Sequence, residues 1–310
     1  MTKGIQVQKV GTFTGHRDCV YTLERAGEEH LFFSAAGDGM VVLWDLNQPD
    51  KGELVADVEN SVYALRYLPD RHLLLIGHNM EGVQVIDLTQ KKIRTSLALP
   101  KTAIFDFAYS PSSPWSFVGL GDGGLAVLDS RTFDLKKIIR HSAKSIRSLA
   151  LLEERQELAV GFSDHLIRVY DAFTLKLKHE IAAHGNSVFT VAYSPDGRFL
   201  LSGSRDAHLK VWEVGAGYAP YASLVAHMYT INHITFSPNG KFFATCSMDK
   251  SIKVWDAASF RLLKVIDRAR HAGHGTSVNK LFWSAHHNQL VSCSDDRTVS
   301  VWDLTFELEA

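Results

Sequence analysis

HGNSVFTVAYSPDGRFLLSGSRDAHLKVWEV, residues 184–214, breaks into three apolar runs separated by turns. Val188–Tyr193 alternates as a half-buried strand does, Ser194-Pro195-Asp196-Gly197 has the composition of a tight turn, and Phe199–Ser204 reads as a second strand. A short turn at Arg205–His208 leads to a third strand over Leu209–Val214, and a fourth then runs toward His227. The unit closes on Trp212-Glu213, and similar endings recur at Leu43-Trp44-Asp45, Tyr170-Asp171, Trp255-Asp256 and Trp302-Asp303. With weaker units ending in Ile86-Asp87 and Leu128-Asp129, the repeated position falls at 44, 86, 128, 170, 212, 255 and 302, in steps of 42, 42, 42, 42, 43 and 47. Seven units of nearly one length fill the chain.

A four-stranded unit of this size has two faces and too few residues to bury both, so its apolar faces must stack on neighbouring units. A period of roughly 40–45 residues with a Gly-His start and a Trp-Asp end resembles the WD-repeat β-propellers over essentially all of residues 1–310. The resemblance implies an all-β, seven-bladed propeller of four-stranded antiparallel blades. It also implies that the spare strand Gln6–Thr14 completes blade seven and closes the ring. The chain is twice the usual ~150 residues of a domain, yet the unbroken repeat offers no boundary, so residues 1–310 are read as one domain.

The composition, 45% hydrophobic and 22% charged, is that of a globular protein with an ample core, and apolar runs such as Leu73–Ile76 fall far short of the ~20 residues of a membrane span. The opening MTKGIQVQKV lacks the apolar stretch of a secretory signal, which predicts a cytoplasmic protein. Three cysteines, Cys19, Cys246 and Cys293, fit reduced thiols better than a disulfide framework, and the last two share one register in neighbouring repeats. A formal charge of −1 argues against a general nucleic-acid binder. The local exception, Arg131, Lys136, Lys137, Arg140, Lys144 and Arg147 against Asp134, reads as an outer strand protected by charge against edge pairing.

Four repeats carry a polar set at fixed spacing: His16, Ser34, Asp38 and Trp44; His184, Ser202, Asp206 and Trp212; His227, Thr245, Asp249 and Trp255; His274, Ser292, Asp296 and Trp302. A single Ser, His and Asp set would invite nucleophilic catalysis, but four copies in four blades point to a structural network. The resemblance implies a chain of contacts from Trp through the hydroxyl and His to Asp. Repeat four keeps His141 and Asp164 with Val160 and Tyr170; repeat three keeps Asp122 with Val118 and Leu128; repeat two has Ile76, Met80 and Ile86. Repeats two and three are therefore expected to replace the network with apolar packing.

In the family resembled, partners commonly dock on the rim formed by the loops before the first strand and after the second. The position after the first Val or Ile of the opening strand points there by that resemblance, giving Tyr21, Tyr63, Phe105, Arg147, Phe189, Asn232 and Asn279. Four aromatics and an arginine in five consecutive blades supply the residue types that anchor protein interfaces, and aromatic faces also attract cations. Before the turn Asp, the same rim should carry Gly37, Asn79, Gly121, Ser163, Arg205, Met248 and Asp295. Gly37 and Gly121 are expected to leave space beside Tyr21 and Phe105, with polar contacts from Arg205 and Asp295 opposite. The longest step adds the basic loop Arg268, Arg270 and His271 to this rim.

Metal spacing fails: His271 with His274, His286 with His287 and His227 with His233 each lack a second pair of ligands. GLGDGG at 119–124 sits between two strands, so it is turn chemistry and no phosphate cradle. No metal, cofactor or catalytic set is expected. The reading is a non-enzymatic protein-interaction scaffold, a subunit of a larger assembly that binds a protein or peptide on its top rim. The alternatives are a reader of basic peptide tails or nucleic acid, and an enzyme using the central channel.

Overall fold

The computed structural model describes residues 2–49 and 51–308; the remaining positions of the 1–310 span, Met1, Asp50, Glu309 and Ala310, lie outside the described residues. Seven four-stranded antiparallel sheets stand around a ring, each ordered from an inner strand outward. Blade five runs Val188–Tyr193, Phe199–Ser204, His208–Glu213 and Ala219–Val225. Its third strand starts one residue earlier than the alternation suggests, because Asp206 accepts the His208 amide at 2.9 Å and fixes the strand start there. Among the described residues helix is confined to single turns such as Arg268–His271, and no helix is long and apolar enough to cross a membrane.

The core lies between blades. One cluster joins Leu201, Leu209 and Val211 of blade five to Ile231, Phe243 and Trp255 of blade six, and the other clusters likewise span adjacent sheets. Close approach requires a small residue on the second strand: a Cβ at Gly203 would stand 2.6 Å from Ile231 Cγ2, and one at Gly119 would stand 2.7 Å from Ile146 Cγ2. Cys246 and Cys293, fully buried, hold the corresponding places in blades six and seven, where their pairing partners His233 and Lys280 match the Thr190 that pairs with Gly203.

Thr2–Phe13 pairs antiparallel with Val299–Leu308, placing Ile5 beside Phe306, Lys9 beside Trp302 and Phe13 beside Val299. This strand is the fourth member of the sheet that holds Val278–Trp283, Leu290–Ser294 and Val299–Leu308. Phe13 reaches beyond it, with edge-on contacts to Phe32 at 5.4 Å and Trp44 at 5.3 Å in blade one. The N-terminal strand thus closes the ring and stitches blade seven to blade one. The basic stretch of repeat three falls mainly on Leu135–Arg140, an exposed outermost strand, where Arg140 meets Asp122 at 2.7 Å and Lys136 meets Asp129 at 3.6 Å.

Candidate functional site

The four polar sets come together as continuous hydrogen-bond chains. In blade one Trp44 Nε1 donates to Ser34 Oγ (2.7 Å), Ser34 Oγ lies 2.7 Å from His16 Nε2, and His16 Nδ1 lies 3.3 Å from Asp38. The matching His–Asp distances are 3.1 Å for His184–Asp206, 2.9 Å for His227–Asp249 and 2.8 Å for His274–Asp296. The hydroxyls of Ser202, Thr245 and Ser292 receive the indoles of Trp212, Trp255 and Trp302 at 2.9–3.0 Å and lie 2.8–2.9 Å from their histidines.

Since the indole can only donate and the carboxylate only accepts, the protons run one way: Trp to hydroxyl, hydroxyl to Nε2, Nδ1 to Asp. One neutral histidine satisfies each chain. Burial outweighs the attraction of the aspartates and pushes His16 and His227 below their ordinary values, and His184 down to about 4. Ser34, Ser202, Thr245 and Ser292 are fully buried, an arrangement that suits struts tying loop to strand.

The degenerate blades show different solutions. Ile76 and Ile86 of blade two and Val118 and Leu128 of blade three are packed into the core. In blade four His141, one residue farther from the Trp position than in the complete sets, bonds Tyr170 Oη at 2.8 Å, while Asp164 holds Arg168 at 2.8 Å. We expect Asp206→Ala to lower the unfolding free energy by about 2–4 kcal/mol, because it strands donors at His184, Gly185 and His208. Met80→Ala, at an exposed turn, should change it by less than ~0.5 kcal/mol. Urea denaturation of both variants measures the contrast, and equal losses would contradict the strut assignment.

The rim residues are built differently. In every blade the pairing between first and second strands skips at one place: Val20 pairs with Ala36 and Thr22 with Ala35, with Tyr21 left over. Tyr63 lies within the corresponding skip, and Phe105, Arg147, Phe189, Asn232 and Asn279 are each the skipped residue. A bulge removes one side chain from the in-and-out alternation and re-aims it. Repeated around the ring, it sends these seven residues to one place. They line a single cavity of about 620 Å³ at the channel mouth, together with Arg205, Met248 and Asp295.

Tyr21 meets Tyr63 edge-on at 4.7 Å, Tyr63 stacks on Phe105 at 5.6 Å, and the Arg147 guanidinium lies 3.9 Å from the Phe105 centroid and 4.3 Å from that of Phe189. The result is a half-buried ladder across five blades. Desolvation pulls the Arg147 guanidinium down to about 10, so it remains a cation at neutral pH. Burial pushes the Tyr21 phenol up. Asn232 and Asn279 instead tie neighbouring blades, donating to Val278 O at 2.8 Å and Val20 O at 2.9 Å, and Asn279 also binds Asp295 at 2.7 Å.

Some rim expectations need correction. A Cβ at Gly37 would meet Asp18 Oδ2 at 2.6 Å and one at Gly121 would meet Thr102 Oγ1 at 2.7 Å, so neighbouring loops fill the space expected there. Asn79 turns inward and accepts the Ile104 amide at 2.8 Å. Arg268, Arg270 and His271 do not line the mouth, and Arg270 is occupied by Asp267 at 2.6 Å. A cation over the rings is supplied from within by Arg147.

Of the exposed apolar group around Met248, only Met248 itself was read from the sequence. Val225, Met228, Tyr229 and Met248 are 75%, 79%, 58% and 56% exposed. The Met228–Thr230 segment is bonded to the Ser247–Asp249 turn through Met228 N to Asp249 and Met248 N to Thr230 O, both 3.0 Å. This forms an apolar shelf whose inner members, Met248 and Thr230, also line the mouth. The available signal was local: His227 is followed by Met-Tyr where His184 is followed by Gly-Asn.

Deeper in the channel the residues after the bulges, Thr22, Asp106, Ser148, His233 and Lys280, tie blades to one another. Asp106 accepts the Leu149 amide at 2.8 Å, Lys280 Nζ donates to Thr22 Oγ1 at 3.1 Å, and His233 Nδ1 accepts the Leu281 amide at 3.4 Å. Burial, with Lys280 and Arg66 nearby, pushes His233 well below its ordinary value and keeps it neutral. Among the described residues no group of three or more His, Cys, Asp or Glu side chains is placed to hold a metal ion.

The family model described as "WD domain, G-beta repeat" matches residues 7–45, 175–213, 219–256 and 267–303. Those segments end at the Trp-Asp or Trp-Glu of the four repeats that hold the complete polar chains. No curated protein matches the chain.

Proposed function

The chain is a WD-repeat β-propeller, and from that premise we propose that it is a non-enzymatic interaction scaffold whose partner protein or peptide docks on the top rim and channel mouth. The observation that carries the reading is convergence: ten rim residues from all seven blades line one cavity, with an exposed apolar shelf continuous with it. Tyr, Phe, Met and Arg around a concave, partly desolvated surface are the side chains from which interface hot spots are made. The assignment extends to work as a subunit of a larger assembly in the cytoplasm.

The competing readings find less support. Arg147 already fills the space between the Phe105 and Phe189 rings, which disfavours a cage for a basic peptide tail and a stacking platform for bases. An enzyme using the channel would need a base paired with a nucleophile, but His233 accepts a backbone amide instead.

The test is an affinity capture compared between wild type and the double variant Tyr63→Ala/Phe105→Ala, read by mass spectrometry beside thermal denaturation. The variant should keep its melting transition and lose the specific partners, since both rings are half-buried at the mouth. Partners retained at wild-type levels by a folded variant would reject the docking site. Binding to nucleic acid that falls steeply with salt would favour the reader instead.

A further inference from the structure

We propose that the mouth recognises an acidic peptide segment: a carboxylate seats on the open edge of the Arg147 guanidinium while an adjacent apolar side chain lies on the Met228, Tyr229 and Met248 shelf. This rests on the mouth being the partner surface. Arg147 is unlike the chain's other enclosed arginines. Arg66 stands 3.9 Å from Glu24 and 4.0 Å from Asp106, and Arg168 is held at 2.8 Å by both Asp164 and Glu180. Arg147 has no carboxylate or hydrogen-bond partner among the described residues; its contacts are with the Phe105 and Phe189 rings, 3.9 and 4.3 Å from the guanidinium.

A guanidinium held against aromatic rings keeps its in-plane N–H groups for a ligand, and Arg147 lines the cavity. That fork matches a planar carboxylate, and clamping beforehand removes the entropy of ordering the side chain on binding. The acids already at the mouth do not compete. Asp106 is engaged by the Phe107 and Leu149 amides, at 2.9 and 2.8 Å, and Asp295 by Asn279. The lining retains Arg205 and Lys280 as further positive charge. Desolvated, unpaired positive charge in one cavity with the exposed Met248 is complementary to a short segment that joins an acidic residue to a bulky apolar one.

The probe is a display library of random peptides selected on the whole protein, followed by fluorescence anisotropy of the best binder as a synthetic peptide. The selected sequences should share an Asp or Glu next to a large apolar residue. Replacing that acid by Gln or Asn in the peptide should weaken binding about ten- to a hundredfold, as loss of a charged hydrogen bond does. Arg147→Met should cause a similar loss and Arg147→Lys a substantial one, because an ammonium has no planar fork. If Arg147→Met lowers the melting temperature, the peptide-side substitution decides alone. Binders that lack an acid but are lost with Tyr63→Ala/Phe105→Ala overturn this inference and leave the docking surface standing. Binders indifferent to all these changes overturn both. Tight binding only when the acid is replaced by phosphoserine overturns the carboxylate assignment.

Discussion

A chain lacking residues 1–13 is expected to lose its cooperative thermal transition, or to accumulate as insoluble protein. The missing segment supplies the fourth strand of blade seven, buries Ile5 and Phe13, and covers the edge that carries the fully buried Trp302. Each of the two apolar side chains contributes roughly 1.5–3 kcal/mol by burial, and each lost ladder hydrogen bond about 1 kcal/mol. The sum is on the order of 10 kcal/mol, comparable with the ~5–15 kcal/mol that holds a typical protein folded. Phe13 adds contacts to Phe32 and Trp44 in blade one, so the loss crosses the ring seam. Calorimetry and near-ultraviolet circular dichroism measure the outcome; an unchanged melting temperature would falsify the closure role.

Acidification from pH 7 to pH 4.5 should lower the unfolding free energy by several kcal/mol, most of it through the buried histidines of the polar chains. His184, with its side chain fully enclosed, falls from its ordinary 6.5 to about 4. A group held neutral in the fold lets the unfolded chain bind the extra proton, so stability is full above pH 6.5 and declines as pH falls toward 4. For His184 alone the loss at pH 4.5 is about 2–3 kcal/mol. His16 and His227 are pushed in the same direction. The aspartate of the fourth chain acts lower on the scale: against the upward push of burial, hydrogen bonds from His274 and Thr298 help hold Asp296 down to about 2, so its contribution is present above pH ~4 and lost only as pH falls through 2. Urea titrations at a series of pH values test the sign. Stability that rises on acidification would mean the chains carry charged histidines.

The ring was legible because repetition averages out local ambiguity: a Trp-Asp ending at 212 is weak evidence, and its recurrence at 44, 255 and 302 in a near-constant step is strong. The polar chains were legible for the same reason. The mouth was legible in part, since the bulge falls at one position in every blade and so turns a sequence register into a place. What that register does not encode is how side chains settle against each other. The clamping of Arg147 by Phe105 and Phe189 depends on torsions, and the space at Gly37 depends on Asp18 from another loop. The Met228-Tyr229 shelf lies off the repeated register, where a search by period has no purchase.

The pairing of residues 2–13 with 299–308 also sets an order in time. During synthesis the strand over 2–13 has no partner in its sheet until residues 299–308 have left the ribosome, and pairing the two closes a loop over all the blades between them. The entropic penalty of such a loop grows only as the logarithm of its length, but no ring contact offsets it until the seam forms. Six blades therefore wait with two unsealed edges, and the newborn chain passes through a stage in which both edges are open to another copy.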